Sequence, residues 1–192
     1  MSRVGKSYRL LNQIKNNKLY FAKNQYFGEL RIDFFHEMDI DESYLSWLNN
    51  SEHMKYSDQQ FEHHTRESSR NYLSSFEGTP NLFLKVLNNS QIMIGTLTIY
   101  IDVNHNVHNC GILIDPNLGG MGYGKSAWTA LINEICPSLG ARKIVAGTLE
   151  NNSAMIKLFQ YSNMNFEARL RSEKVFLGRS IDVLIYSRFV SR

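Results

Sequence analysis

Hydrophobic and polar positions repeat with two different periods along this chain, and the switches between them mark its elements. From Glu29 the letters ELRIDFF alternate as a strand does. Asp41 and Glu42 then open SYLSWLNN, in which Tyr44, Leu45, Trp47 and Leu48 share one helical face. A second helix is predicted from a cap at Thr65 through Tyr72, Leu73 and Phe76. Two strand-like runs, LFLKVL and IMIGTLTIYI, flank the turn letters Asn88, Asn89 and Ser90 and predict an antiparallel hairpin. A further strand, NCGILID, closes at Asp115 and Pro116 and feeds a glycine-rich stretch. The helix that follows carries Ala127, Trp128, Leu131, Ile132 and Ile135 on one side and is expected to break at Pro137 and Gly140. KIVAGTL reads as a strand, NSAMIKLFQYS as a helix, and VFLGRSIDVLIYSRF as a closing hairpin around Gly178. Before Glu29 the apolar Leu10, Leu11 and Ile14 predict a short amphipathic helix ahead of an extended Leu19 to Phe21. No internal repeat or low-complexity linker interrupts the order.

Strands and helices mixed in this way predict an α/β (α+β) fold with a central sheet. A length of 192 residues, 43% of them hydrophobic, is enough for one domain with a proper core. We divide the chain into a basic N-terminal extension, residues 1–28, and a single domain, residues 29–192. The extension holds Arg3, Lys6, Arg9, Lys15, Lys18 and Lys23 before the first acidic residue, Glu29, while the rest of the chain is slightly acidic. Such a run is either a solvated flank or a contact for an anionic partner such as nucleotide phosphate, RNA or lipid headgroups. Cys110 and Cys136 lie in apolar surroundings without metal-ligand spacing, so reduced core thiols in a cytoplasmic protein are expected and no metal site is. The longest apolar run, Ile92 to Ile101, is too short to span a bilayer, and no N-terminal signal segment is read.

The candidate chemistry sits in LGGMGYGKSAW, Leu118 to Trp128. Gly119 to Ser126 fits Gly-x-x-x-x-Gly-Lys-Ser, the spacing of an ATP or GTP phosphate loop. A phosphate loop normally follows the first strand of a parallel sheet and needs a later strand ending in an acidic residue for magnesium. Here it follows antiparallel strands, and only Glu150 is offered. Alternatively, Gly120, Gly122 and Gly124 let backbone N–H groups turn toward a pyrophosphate resting on the N-terminus of the next helix, with no metal needed.

At these residues the chain resembles the GNAT superfamily of N-acetyltransferases, whose acetyl-CoA loop reads Arg/Gln-x-x-Gly-x-Gly/Ala. Gly122 and Gly124 take the small positions, and Gly119 stands in place of the Arg or Gln. YLSWLNNSEHMKY, GILIDPNLGGMGYGKSAW and ENNSAMIKLFQYSNMNFEARLR are similar to successive motifs of the branch containing ribosomal-protein alanine acetyltransferases and amino-sugar acetyltransferases, so the likeness runs from about Glu29 to Phe189. The helix-ending glycine of that last motif falls on Asn163, the best non-glycine residue for a left-handed C-cap.

The resemblance implies a mostly antiparallel sheet with splayed strands flanked by helices, and acetyl-CoA as the cofactor. It implies that Ile112, Leu113 and Ile114 pair with the pantetheine arm, that Met121, Gly122, Tyr123, Gly124, Lys125 and Ser126 form the cradle, and that Asn152 and Phe159 meet the cofactor beyond the loop. Asn152 has the alternative role of a helix cap. The chain departs from the pattern twice: the carboxylate of many relatives is Asn109, which cannot act as a base, and the tyrosine that often serves as acid is Phe159. The implied catalytic residues are then His105, which matches a histidine of the amino-sugar-like relatives, and Asn109. His108 is a further candidate in the right titration range, unless both histidines are merely exposed residues of the connection DVNHNVHN. The expected reaction is direct acetyl transfer to a primary amine in a ternary complex. A sugar-nucleotide amine is the first choice, with a protein N-terminus, as of a ribosomal protein, and a non-catalytic CoA-binding module as alternatives. Neither nucleic acid nor membrane is expected as a partner, and a monomer or homodimer is.

Overall fold

The computed structural model describes residues 3–22 and 25–190. In chain order it contains α1 (Arg3–Phe21), β1 (Gln25–Phe27), β2 (Leu30–Phe34), α2 (Glu42–Leu48), α3 (Ser51–Met54), α4 (Arg66–Ser74), β3 (Leu82–Leu87), β4 (Met93–Asp102), β5 (Val107–Ile114), α5 (Tyr123–Ala130), α6 (Cys136–Ser138), β6 (Lys143–Leu149), α7 (Ser153–Tyr161), β7 (Asn165–Phe176) and β8 (Arg179–Phe189). The strands form one eight-stranded sheet in the order β1-β2-β3-β4-β5-β6-β8-β7. Every neighbouring pair is antiparallel except β5 and β6. This is the mixed, mostly antiparallel sheet flanked by helices that the resemblance implies.

Each face of the sheet carries its own core. On one face the buried Trp128 and Ile132 of the helix after the glycine stretch, Phe159 of α7 and Ile144 of β6 pack with Leu84, Leu97 and Ile99. On the other, Tyr44, Trp47 and Leu48 of α2 pack with Phe35, Phe76 and Phe83. The helices form where local chemistry favours them. Asp41 caps α2 by accepting from the Tyr44 N–H at 2.8 Å, and Thr65 caps α4 by accepting from the Ser68 N–H at 3.1 Å. Asn163 sits at φ 54° after α7, the left-handed conformation its position requires.

Three local expectations differ from the structure. Leu19 to Phe21 is helical rather than extended, because α1 runs on to place the Phe21 ring 5.1 Å from Phe34. The helix is tied down by Gln13 donating to the Leu139 carbonyl and Asn17 donating to the Pro80 carbonyl, while Arg9, Lys15 and Lys18 are exposed. Lys23 lies outside the described residues, as do the side chains of Arg3 and Lys6. Pro137 does not end its helix. A π-turn over Leu131–Ile135 has already shifted the hydrogen-bond ladder, so the missing proline N–H is absorbed and the helix closes at Gly140, φ 85°. The last hairpin starts at Asn165, well before Val175, because β8 pairs with both β6 and β7 and so draws out a long outer strand. Cys110 and Cys136 are free and buried with their Sγ atoms 3.5 Å apart, and burial pushes the Cys136 thiol well up, which makes it unreactive. No helix among the described residues is long and apolar enough to cross a membrane.

Candidate active site

The parallel pair β5 and β6 is matched for only three residues, Val107 with Lys143, His108 with Ile144 and Asn109 with Val145. Beyond that point the strands part, because each is held by its other neighbour: β5 stays paired to β4 as far as Ile114, and β6 to β8 as far as Leu149. A wedge therefore opens in the sheet, and the edge of β5 from Cys110 to Ile114 faces it without a strand partner. Unpaired strand edges present rows of backbone donors and acceptors. Ile112, Leu113 and Ile114 are half-buried along that edge.

At the wide end of the wedge the chain turns into the glycine stretch. A short turn over Pro116–Leu118 is fixed by Asp115 accepting from the Asn117 N–H at 2.9 Å. Gly120 and Gly122 then adopt φ 79° and 86°, a left-handed conformation that glycine alone takes at little cost. Gly122 precedes α5 without a capping side chain, and the first helical hydrogen bond runs from the Ser126 N–H to its carbonyl. Among the described residues, the N–H groups of Tyr123, Gly124 and Lys125 consequently have no hydrogen-bond partner. Three open donors at the positive end of a helix fit a pyrophosphate. A Cβ at Gly124 would meet Ile114 Cγ1 at 3.6 Å, an ordinary contact on the β5 side of the helix start.

The remaining cradle residues divide. Met121 and Ser126 are exposed, and Tyr123 is half-buried against the core. The Lys125 ammonium lies 3.5 Å from the centre of the Tyr161 ring. That position, and the pairing of Glu150 with Arg169 at 2.8 Å, leave the ATP reading without its lysine and its magnesium carboxylate. No cluster able to hold a metal occurs among the described residues. Asn152 caps α7 through its side-chain oxygen, which accepts from the Met155 N–H. Phe159 offers no surface to a cofactor. It is 0% exposed, its ring packed between Trp128 and Tyr186 at 5.7 and 4.9 Å.

The histidines are also corrected. His108 is not an exposed loop residue but 1% exposed in β5, on the same face as Cys110 and Ile112. Burial lowers its pKa to about 4, and its Nδ1 has no partner, so the ring is neutral and sealed. Strand alternation from Ile112 backwards was the available signal. His105 is exposed in the β4–β5 turn, before β5 begins at Val107, which is itself five residues and on the order of 17 Å along the strand from Ile112. Asn109 stands at the apex of the wedge opposite Tyr100. With Tyr100, Asp102, Arg142 and Lys143, these two residues line a shallow groove at the narrow end. The structure thus brings His105 and Asn109 together, but away from the glycine cradle.

Against the face of β5 opposite to His108 lies a smaller cavity of about 180 Å³. Tyr44, Ser57, Gln59 and Tyr72 form one wall and Thr96, Thr98, Gly111 and Leu113 the other. Gly111 is required there, since a Cβ would come within 2.6 Å of Thr98 Oγ1. Burial pushes the Tyr44 and Tyr72 phenols far up, so both hydroxyls stay protonated. The tip of the last hairpin reaches the same region: Phe176 stacks on Tyr56 at 5.6 Å, and Lys174 pairs with Asp58 at 2.8 Å. Sequence reasoning missed these residues because they come from six separate segments. A larger cavity of about 660 Å³, between α1, α4 and β2–β3, shares only Phe83 with this one.

The family model described as Acetyltransferase (GNAT) domain matches residues 29–165. The chain belongs to the GNAT acetyltransferases. Membership in the GNAT family makes it an acetyl-CoA-dependent N-acetyltransferase, and the wedge and open helix start fit that cofactor. No curated protein matches the chain in sequence. Among solved structures, a GNAT acetyltransferase from Bacillus anthracis is similar with a TM-score of 0.74 at 18% identity, over 87% of this chain and 98% of that one. A spermidine N-acetyltransferase from Vibrio cholerae, in complex with CoA and spermine, gives 0.76 at 18% over 84% and 95%. A ribosomal-protein-S5-alanine acetyltransferase from Vibrio fischeri gives 0.72 at 16% over 87% and 96%. At these identities the likeness is one of fold.

Proposed function

We propose that the tyrosine-lined cavity takes the acceptor and that the acceptor is the amine of a nucleotide-linked amino sugar. One observation carries this reading: the cavity wall holds hydroxyls from Tyr44, Ser57, Tyr72, Thr96 and Thr98 and the Gln59 amide, with no charged side chain. Neutral donors and acceptors beside aromatic rings suit a polyhydroxylated ring. A polyamine or a basic peptide would call for carboxylates. No lysine or arginine that could meet nucleotide phosphates lines this cavity. At about 180 Å³ it holds only the amine-bearing ring, and the nucleotide would extend outside. A protein N-terminus could enter with its first residue alone, and the small cavity is what favours that second reading.

Acetyl-CoA supplies an activated acyl group. The N–H groups of Tyr123, Gly124 and Lys125 would hold its pyrophosphate, and the free edge of β5 from Cys110 to Ile114 would pair with its amide-bearing arm. The Asn152 amide and the exposed Met121 and Ser126 stand at the same end. Holding both reactants against β5 converts a bimolecular step into an effectively unimolecular one, an effect that can supply most of the rate. Asn109 lines the neighbouring groove and, as an amide, cannot deprotonate the amine. The test is release of free thiol from acetyl-CoA with three acceptors: a UDP-linked amino-hexose, spermidine and an alanine-terminated peptide. Turnover is expected with the sugar nucleotide, and transfer to the peptide or to spermidine in its place would overturn the choice.

A further inference from the structure

An amine reaches neutral water mostly protonated and cannot attack until it has lost that proton, yet the usual carboxylate is Asn109 and the usual tyrosine is Phe159. Two other hydroxyls meet on the acceptor side of the sheet. Tyr72 of α4 lines the cavity and Tyr100 of β4 lines the shallow groove, and their oxygens are 3.1 Å apart. Tyr100 is 44% exposed and directly opposite Asn109 at the apex of the wedge. Both rings are held against Phe76, Tyr72 at 5.2 Å and Tyr100 at 5.7 Å, and Tyr72 also packs edge-on to Phe83. The pair is therefore a fixed bridge between a closed space and an open one.

We propose that Tyr72 and Tyr100 form a proton relay that carries the acceptor's proton from the cavity to solvent. The proton leaves the amine nitrogen for the Tyr72 oxygen, the Tyr72 proton passes to the Tyr100 oxygen, and the Tyr100 proton passes to water in the groove. Each hydroxyl ends protonated as it began, and one proton has been released. Neither phenol has to ionise, in keeping with the burial that holds the Tyr72 proton tightly. The ionisable groups facing the relay are Tyr44 from α2 at the cavity end, and Asp102, His105, Arg142 and Lys143 at the groove end, with Lys143 already paired to Glu167. This rests on the reading that the cavity seats the amine.

The test uses Tyr72→Phe, Tyr100→Phe and the double variant, which keep the rings and their packing. Melting temperature and its rise with acetyl-CoA should match the wild type, showing that fold and cofactor binding are intact. With whichever of the three acceptors the wild type uses, kcat of each single variant should fall roughly 10²-fold at neutral pH, the scale of a proton-transfer contribution, with KM for the amine little changed. The double variant should lose no more than Tyr72→Phe alone, since a chain broken once is broken. The loss should shrink as pH rises and the amine arrives neutral, and imidazole buffer should rescue Tyr100→Phe, at the open end, more than Tyr72→Phe. An unchanged kcat in Tyr72→Phe, additive losses, or a loss independent of pH and buffer would overturn the relay while leaving the acceptor reading in place. Wild-type protein that acetylates none of the three acceptors would overturn the acceptor reading, and the relay with it.

Discussion

Acid should destabilise this protein through one buried ring, that of His108. The ring is 1% exposed in β5 with an unpartnered Nδ1, and burial holds its pKa at about 4 against an ordinary 6.5. The folded chain therefore keeps this group neutral, whereas the unfolded chain binds a proton below 6.5. Stability is intact above that value, falls as pH drops from 6.5 toward 4, and levels off below 4. At 1.36 kcal/mol for each pH unit, the gap sets a ceiling of about 3 kcal/mol, a large part of the stability of an ordinary domain. The assay is urea denaturation at several pH values between 7.5 and 4.5, for wild type and His108→Leu. Leucine keeps the apolar contacts with its strand neighbours Ile101 and Ile144 and removes the stranded nitrogen, so at pH 7.5 the variant should be close to wild type in stability. Its stability should then decline less on acidification, the difference approaching about 3 kcal/mol near pH 4.5. Carboxylates and the other histidines contribute equally to both proteins and cancel in the difference. Parallel stability-versus-pH curves would refute the reasoning, because they would mean that His108 titrates the same way folded and unfolded.

Restoring the family's tyrosine with Phe159→Tyr should cost stability without adding activity. A hydroxyl placed in a fully packed core site loses its water partners and crowds Trp128 and Tyr186, at about 1–3 kcal/mol, which a chain of this length registers as a melting shift of several degrees. A gain in turnover would show that the ring reaches the reacting atoms after all. Gly122→Val should weaken acetyl-CoA binding strongly, seen by calorimetry, since a branched residue cannot hold φ 86° and the three open N–H groups would turn away. Unaltered affinity would remove the cradle assignment. Gly124→Ala, whose Cβ meets Ile114 at an ordinary contact distance, should bind nearly as well as wild type. His105→Ala should leave kcat essentially unchanged, because Tyr100 opens directly to water; a large drop would make His105 the proton acceptor at the end of the groove.

The sequence by itself determined whatever depends on neighbours a few residues apart. Period, caps and turn letters placed α2, α4, the β3–β4 hairpin and α7, and the demand for left-handed backbone at Gly122 and Asn163 was visible in their letters. The cradle was legible for the same reason: a strand, a glycine turn and a helix start are contiguous. What only the tertiary structure decided depends on which distant segments meet. The wedge exists because β5 is held by β4 while β6 is held by β8, a competition between pairings that no local pattern records. Phe159 was read as a site residue because a family motif position falls on it and His108 because imidazole suits proton transfer, but packing against Trp128, Tyr186 and the core around Ile144 sealed them off. Tyr72 and Tyr100, 28 positions apart in the chain, meet only because α4 packs near β4 and both rings rest on Phe76. Local backbone preference is written residue by residue, whereas burial and proximity are properties of the whole packed sheet.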